Sequence, residues 1–174
     1  MANRQSTPGE VFSELLEDGE PQALAWVTGG AAVPTLSGLV KFYNTPYGGT
    51  LVEAELFGLP GKAQPGSSAF YGMHIHENGD CSDNFQHTGG HLNPTGVQHP
   101  QHMGDLLPLF SNQGYAWIAF YDKRFIIPEI LGKAVVIHQM PDDLHSQPAG
   151  NSGEKIGCGV IRLTGRQDQK NLDR

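Results

Sequence analysis

Short β-prone runs separated by clusters of Gly, Pro, Asn and Asp follow one another from residue 22 onward, and this pattern limits the possible folds. The runs lie at residues 23–27, 39–43, 50–57, 71–76, 115–121, 134–137 and 160–163. Many short strands joined by turns are typical of an antiparallel sandwich or barrel. No helical period interrupts this part of the chain, so we expect an all-β domain.

A short amphipathic helix is predicted before the first of these runs. Residues 7–10 read TPGE, a capping box with proline at the first helical position. Apolar residues recur at helical spacing at positions 11, 12, 15 and 16, and Gly19 ends the pattern, which predicts a helix over residues 8–18. The helix either packs on its own domain or binds a partner. We therefore divide the chain into an extension (1–21), a β-domain (22–164) and a flexible tail (165–174).

Charge and hydropathy argue against two kinds of partner. The chain has 174 residues and a net charge of −7, which disfavours binding to nucleic acid or to an anionic membrane. No apolar run approaches the roughly 20 residues of a membrane-spanning helix. The first residues, MANRQSTPGEVF, lack the apolar core of a secretion signal. The sequence leaves the compartment open, with the cytoplasm as the expectation for the chain as written. Removal of a leader would instead place the protein outside the cytoplasm.

Histidines are concentrated in and near these β-prone runs. His74 and His76 lie two residues apart in the stretch GMHIHENGDC. Alternate residues of a strand point to the same face, so the two imidazoles project side by side. Further candidate ligands lie in the glycine-rich segment 89–106 and at the end of a later apolar run: His91, His99, His102, Asp105 and His138. Several buried imidazoles in one domain need a common partner, because an unpaired one is costly, and a metal ion meets that need.

Two long polar segments, residues 77–105 and 141–157, carry many of these side chains or adjoin them. Loops of that length in a compact domain are usually functional.

The chain has two cysteines, Cys81 and Cys158. They form either a disulfide or two unrelated thiols, and their spacing alone does not decide between these alternatives.

Five short motifs follow one another along the chain: GMHIHENGD (72–80), GGHLNP (89–94), HMGDL (102–106), VVIHQMPDD (135–143) and GCGVI (157–161). In this order they resemble the motifs of the copper/zinc superoxide dismutase family. Any one of them alone would be weak, but five in the family's order are specific. The resemblance covers about residues 22–164 and implies a Greek-key antiparallel β-sandwich or barrel with long metal-binding and active-site loops.

The same resemblance implies two adjoining metal sites. Copper would be held by His74, His76, His91 and His138. Zinc would be held by His91, His99, His102 and Asp105, so that His91 bridges both metals through its two ring nitrogens. Asp142 matches the carboxylate that hydrogen-bonds one ligand histidine of each metal. Cys81 and Cys158 match the family's intrasubunit disulfide.

The residue types suit these metals. Four nitrogens in a tetragonal arrangement suit Cu(II), and three nitrogens with a carboxylate suit structural zinc. The resemblance implies an enzyme that converts superoxide to dioxygen and hydrogen peroxide by one-electron cycling of copper, with His91 as a proton source. The alternative is a non-catalytic copper/zinc-binding protein. The complete set of four copper histidines favours the enzyme.

Two positions depart from the family pattern. Lys155 in GEKIGC replaces an arginine that guides and docks the anion, which keeps the charge but loses the planar fork. On a chain of net charge −7, we expect Lys155 to draw superoxide toward the copper site. The interval between His99 and His102 is shorter than in the family.

His87 and His145 match no ligand position and are interpreted as loop histidines. Both a monomer and a homodimer are compatible with the sequence.

Overall fold

The computed structural model describes residues 6–60 and 69–165, and within these ranges the chain forms mainly antiparallel strands. The strands are β1 (Ala23–Gly29), β2 (Ser37–Asn44), β3 (Thr50–Phe57), β4 (Phe70–Tyr71), β5 (Met73–His76), β6 (Leu109–Phe110), β7 (Ala116–Asp122), β8 (Ala134–His138) and β9 (Lys155–Leu163). The helices are α1 (Pro8–Asp18), α2 (Ser82–Phe85) and α3 (Ile127–Ile130), and a 3-10 turn spans Gln86–Thr88. The short α2 is a single turn with left-handed backbone angles at Asp83 and Asn84. Of the predicted tail, residues 166–174 lie outside the described ranges.

Strands distant in the chain are neighbours in the main sheet. Its order is β5-β8-β9-β1-β2-β3-β7, each neighbouring pair is antiparallel, and β4 pairs separately with β6. The chain passes from β3 toward β5, and again from β7 to β8, across this order, which is the non-sequential connection of a Greek key. The sheet forms a half-barrel, and the predicted all-β fold class is confirmed.

Strand alternation explains which residues fill the core and which face away from it. In β1, Ala23, Ala25 and Val27 are completely buried, whereas Trp26 is 63% exposed. Strands β5 and β8 are buried along their whole length. In β5, Met73 and Ile75 belong to the core, so the alternate residues of that strand face the other way, where the loop after β5 covers them.

Helix α1 has the predicted bounds and the predicted N-terminal cap. The Thr7 hydroxyl accepts from the Glu10 backbone N–H, and the Glu10 carboxylate accepts from the Thr7 N–H at 2.8 Å. Phe12 contacts the rings of Tyr47 and Tyr121, with centroids 5.8 and 5.0 Å away. The helix therefore packs on its own β-domain. No helix among the described residues has both the length and the apolar character needed to cross a membrane.

The strands differ from the sequence prediction at two places that matter for the site. The single run predicted at 71–76 is divided at Gly72, whose N–H donates to the Met140 carbonyl and whose carbonyl accepts from the His138 N–H. The last strand begins at Lys155 instead of residue 160, because its glycine-containing first half also pairs with β8. Lys155 therefore lies on a strand and not in a loop.

Candidate metal centre

The loop after β5 folds back along that strand and brings the candidate ligands together. The Leu92 N–H donates to the Ile75 carbonyl at 2.8 Å, and the Ile75 N–H donates to the Gly104 carbonyl at 2.9 Å. Isolated bridges also pair His76 with His91 and His74 with Asp105. The outward face of β5 is thus covered by the loop that carries the other candidate ligands.

Four buried histidines form the first cluster, and their facing ring nitrogens lie within 4.8 Å of one another: His74, His76, His91 and His138. The Nδ1 atoms of His76 and His138 lie 2.9 and 3.2 Å from the Gly89 and Gly153 carbonyl oxygens. A carbonyl oxygen can only accept, so these nitrogens carry the hydrogen and each Nε2 carries a lone pair. The two Nε2 atoms are only 3.2 Å apart, and a cation between them would relieve that contact.

The other two rings of the first cluster also present a free nitrogen to it. His74 Nε2 donates to the Asp142 Oδ2 atom at 2.8 Å, which leaves its Nδ1 without a hydrogen-bond partner. His91 Nε2 is likewise buried and unpaired. Buried polar atoms without partners are rare in proteins, so four convergent ring nitrogens fit a metal ion, and an all-nitrogen set suits copper.

Three imidazoles surround the Asp105 carboxylate in the second cluster, whose members are His91, His99, His102 and Asp105. The His91 Nδ1 and His99 Nδ1 atoms lie 2.7 and 3.0 Å from the Asp105 carboxylate, and His102 Nδ1 lies 3.3 Å from it. The Nδ1 atoms of His99 and His102 make no hydrogen bond despite this proximity. Three nitrogens and one carboxylate in a closed, buried group suit structural zinc. The short interval between His99 and His102 still brings both rings to this point.

One carboxylate, that of Asp142, joins the two clusters. Its two oxygens each accept a hydrogen bond of 2.8 Å, one from His74 Nε2 and one from His99 Nε2. The Leu144 N–H also donates to it at 2.7 Å. Burial alone would raise the pKa of Asp142, but hydrogen bonds from His74, the Leu144 N–H and His99 lower it to about 2. The carboxylate is therefore ionised at neutral pH and fixes which nitrogen of each ring faces its cluster.

Burial keeps three histidines of the first cluster, His74, His76 and His138, neutral at pH 7. It lowers the pKa of His74 to about 4, that of His138 to about 3 and that of His76 to about 2. Neutral imidazole is the form that binds a metal, so no proton has to be removed from these rings at neutral pH.

Arg124, which the sequence interpretation did not single out, supports the second cluster. Its guanidinium donates to the His102 carbonyl at 3.1 Å and to the Asp105 carbonyl, and it pairs with Asp122 at 2.6 Å. These contacts hold the backbone of two candidate ligands from outside. No motif marks this position, because the contact joins a turn after β7 to a loop some twenty residues earlier in the chain.

Lys155 lies at the edge of the first cluster. A register shift between β8 and β9 at Ile137 and His138 places Lys155 opposite His138. The Lys155 ammonium donates to the Thr88 hydroxyl at 2.7 Å, and burial lowers its pKa. An open cavity of about 500 Å³ adjoins it and is lined by Asn84, Gln86, Gly153, Glu154 and Lys155.

The predicted disulfide is present, and two histidines lie outside both clusters as predicted. Cys81 and Cys158 are joined, which ties the loop after β5 to β9. His87 is exposed beside Asp80, 3.4 Å away. His145 is exposed in the loop after β8, where its Nδ1 lies 2.7 Å from the Asp143 carbonyl oxygen.

Residues 36–161 match the family model described as copper/zinc superoxide dismutase (SODC). Superoxide dismutase (Cu-Zn) 3 of Arabidopsis thaliana is 34% identical over 168 residues, which cover 87% of this chain and 96% of the relative. The copper chaperone for superoxide dismutase of Sus scrofa is 32% identical over 180 residues, covering 88% of this chain but only 63% of that protein. The Cu/Zn superoxide dismutase from Brucella abortus has the same fold, with a TM-score of 0.67 at 24% identity over 80% of this chain and 99% of that one.

Proposed function

The chain belongs to the copper/zinc superoxide dismutase family, and we propose that its β-domain, residues 22–164, converts superoxide to dioxygen and hydrogen peroxide. One observation carries this proposal: the two clusters are complete, buried and share His91. We assign copper to the four-histidine cluster and zinc to the cluster with Asp105. Copper bound there would supply the one-electron redox chemistry, and zinc would hold its ligands in place.

His91 is the proposed catalytic histidine, because its two ring nitrogens face different clusters. Its Nδ1 lies 2.7 Å from Asp105, which leaves its buried, unpaired Nε2 for the four-histidine cluster. His91 Nε2 is therefore the atom that would take up a proton and give it to the second superoxide, while Nδ1 stays beside Asp105. Two superoxide ions and two protons yield one dioxygen and one hydrogen peroxide, so His91 supplies one of the two protons in each cycle.

Lys155 is the proposed guiding residue for the substrate anion. Its charge is half-buried at the first cluster, and no ion pair of its ammonium occurs within residues 6–60 and 69–165. A half-buried cation without a compensating carboxylate attracts a small anion more strongly than a fully solvated one.

A second candidate function is non-catalytic binding of copper and zinc. It is favoured by the similarity to a protein named as a copper chaperone. The two candidates make the same prediction for metal binding and opposite predictions for turnover, so one experiment separates them.

The test measures metal content and superoxide consumption after loading with copper and zinc. We expect the parent and His87→Ala, which alters an exposed histidine outside both clusters, to bind both metals and to turn over superoxide. We expect His91→Ala to lose affinity for both metals and to lose turnover, because one ring serves both clusters. Two bound metals without turnover in the parent would favour the non-catalytic candidate, and full occupancy with a normal rate in His91→Ala would reject the bridging role.

A further inference from the structure

The three hydrogens of the Lys155 ammonium already have three oxygen partners. They are the Phe85 carbonyl at 3.3 Å, the Thr88 hydroxyl at 2.7 Å and the Gly89 carbonyl at 3.3 Å. An ammonium has three donors and no more, so none remains for an incoming anion. Lys155 therefore acts on an anion through its charge, and its hydrogen bonds fix the loop at residues 85–89.

Thr88 is the closest of these partners and is completely buried. Its hydroxyl donates to the Phe85 carbonyl at 2.9 Å, so its lone pairs are left to accept. One accepts from Lys155, and the hydroxyl also lies 3.4 Å from His76 Nδ1, whose main acceptor is the carbonyl of the next residue, Gly89. Thr88 thus contacts both the cation and a ring of the four-histidine cluster.

The backbone before Thr88 is held in an unfavourable conformation. Three successive residues, Asp83, Asn84 and Phe85, have φ values of 48°, 51° and 71°. Left-handed conformations cost about 1 to 2 kcal/mol per residue unless glycine is present, and they persist where surrounding contacts enforce them. The Phe85 carbonyl, at the end of this turn, is held by both Thr88 and Lys155.

We infer that Thr88 is a positioning residue for the four-histidine cluster: its hydroxyl anchors Lys155 beside the cluster and fixes the orientation of His76. The inference rests on the proposed copper site, but it concerns copper binding and does not depend on turnover. Loss of the hydroxyl would remove the shortest of the three ammonium hydrogen bonds and loosen the segment whose Gly89 carbonyl orients His76.

The test compares Thr88→Val, which keeps the shape and removes the hydroxyl, with Thr88→Ser, which keeps the hydroxyl. Thr50→Val is the matched control, because Thr50 is also completely buried and its hydroxyl donates to the Phe125 carbonyl at 3.2 Å outside both clusters. Copper affinity is measured by competition with a chelator, and the Cu(II) environment by electron paramagnetic resonance of the copper- and zinc-loaded protein.

We expect Thr88→Val to lower copper affinity about 10-fold, which is the lower end of the range for groups that orient metal ligands, and to change the Cu(II) spectrum. Thr88→Ser should restore both, and Thr50→Val should change neither. Lys155→Met provides a second measurement that leaves Thr88 in place, and we expect it to change the same spectrum. Parent-like copper affinity and parent-like spectra in Thr88→Val and Lys155→Met would overturn the inference, whether or not the parent turns over superoxide.

Discussion

Gly150 shows how closely the loop after β8 approaches the shared carboxylate. Its φ is +63°, a conformation that side chains other than glycine rarely adopt. A Cβ atom at this position would lie 2.0 Å from the Asp142 Oδ1 atom and 2.8 Å from His99 Nε2. Only glycine allows Asp142 to accept from both clusters at once.

We therefore predict that Gly150→Ala weakens zinc binding about 10-fold or more, because the new methyl group displaces Asp142 from His99. Zinc affinity is measured by titration against a chromophoric chelator. Gly48→Ala is the control, because Gly48 has a similar φ of +73° but no neighbour within 4 Å of the added Cβ. Equal zinc affinities for the two variants would contradict the role of Gly150.

At the scale of secondary structure elements, one carboxylate on β3 accepts hydrogen bonds from side chains of its neighbouring strands β2 and β7. Glu53 of β3 accepts from Lys41 at 3.0 Å, from Tyr43 at 2.9 Å and from the Trp117 indole at 3.1 Å. Burial alone would raise the pKa of Glu53, but these three hydrogen bonds lower it below its ordinary value. A carboxyl group whose pKa is lowered by folding stabilises the protein at pH values above its ordinary pKa. This contribution to stability is lost as the pH falls from the ordinary pKa through the lowered one.

We predict that Glu53→Gln lowers the free energy of unfolding by about 1.5 to 3 kcal/mol at pH 7, the range for hydrogen bonds to a charged group. The difference from the parent should narrow below the ordinary carboxyl pKa of about 4.3, where the parent carboxylate is also being protonated. Urea unfolding at neutral and acidic pH measures both values. Glu55→Gln, on the same strand and bonded only to the exposed Tyr115 hydroxyl in the described structure, should have a smaller effect. A difference that is constant with pH would contradict the ionic role of Glu53.

The disulfide is the covalent link between the loop after β5 and strand β9. Cys81 and Cys158 are 77 residues apart, and closing a loop of that length is worth about 4 kcal/mol in the chain-entropy account. We predict that a reductant lowers the free energy of unfolding by about this amount. The chain has no other cysteine, so the Cys81→Ser, Cys158→Ser double variant should be insensitive to reductant and match the reduced parent. Equal stability of the parent with and without reductant would contradict this assignment.

Net charge acts at the scale of the whole molecule. The protein carries a charge of −7 and its proposed substrate is a monoanion, so unguided encounters are slowed by repulsion. Lys155 offsets this repulsion locally, and salt screens such steering over a Debye length of about 10 Å at 0.1 M. A guanidinium has five donors, so an arginine at this position has hydrogens left for the anion after meeting the loop oxygens.

We predict that Lys155→Glu lowers the rate constant about 10-fold or more at low ionic strength, with the difference shrinking as salt is added. Lys155→Arg should keep or raise the rate. Lys123→Glu is the control, because it changes the net charge equally at an exposed residue that does not line the cavity beside Lys155. The measurement is turnover of the metal-loaded protein as a function of ionic strength. Equal losses in Lys155→Glu and Lys123→Glu would mean that net charge alone matters.

Local signals in the sequence were sufficient to predict the class of fold and the position of helix α1. The period-two runs and the turn clusters predict β-strands, and TPGE predicts the helix start at Pro8, because these features depend on residues next to one another. The break at Gly72 and the early start of β9 at Lys155 were missed, because pairing with other strands determines them.

The sequence by itself determined the candidate ligands and their order, since a motif such as His-x-His carries its geometry within one strand. Only the tertiary structure decided which ring nitrogen faces each cluster. That choice depends on the Gly89 and Gly153 carbonyls and on Asp142, which lies 68 residues from His74 and 43 from His99. Thr88 and Arg124 were invisible to motif reasoning for the same reason: their roles come from contacts that exist only after distant segments have packed together.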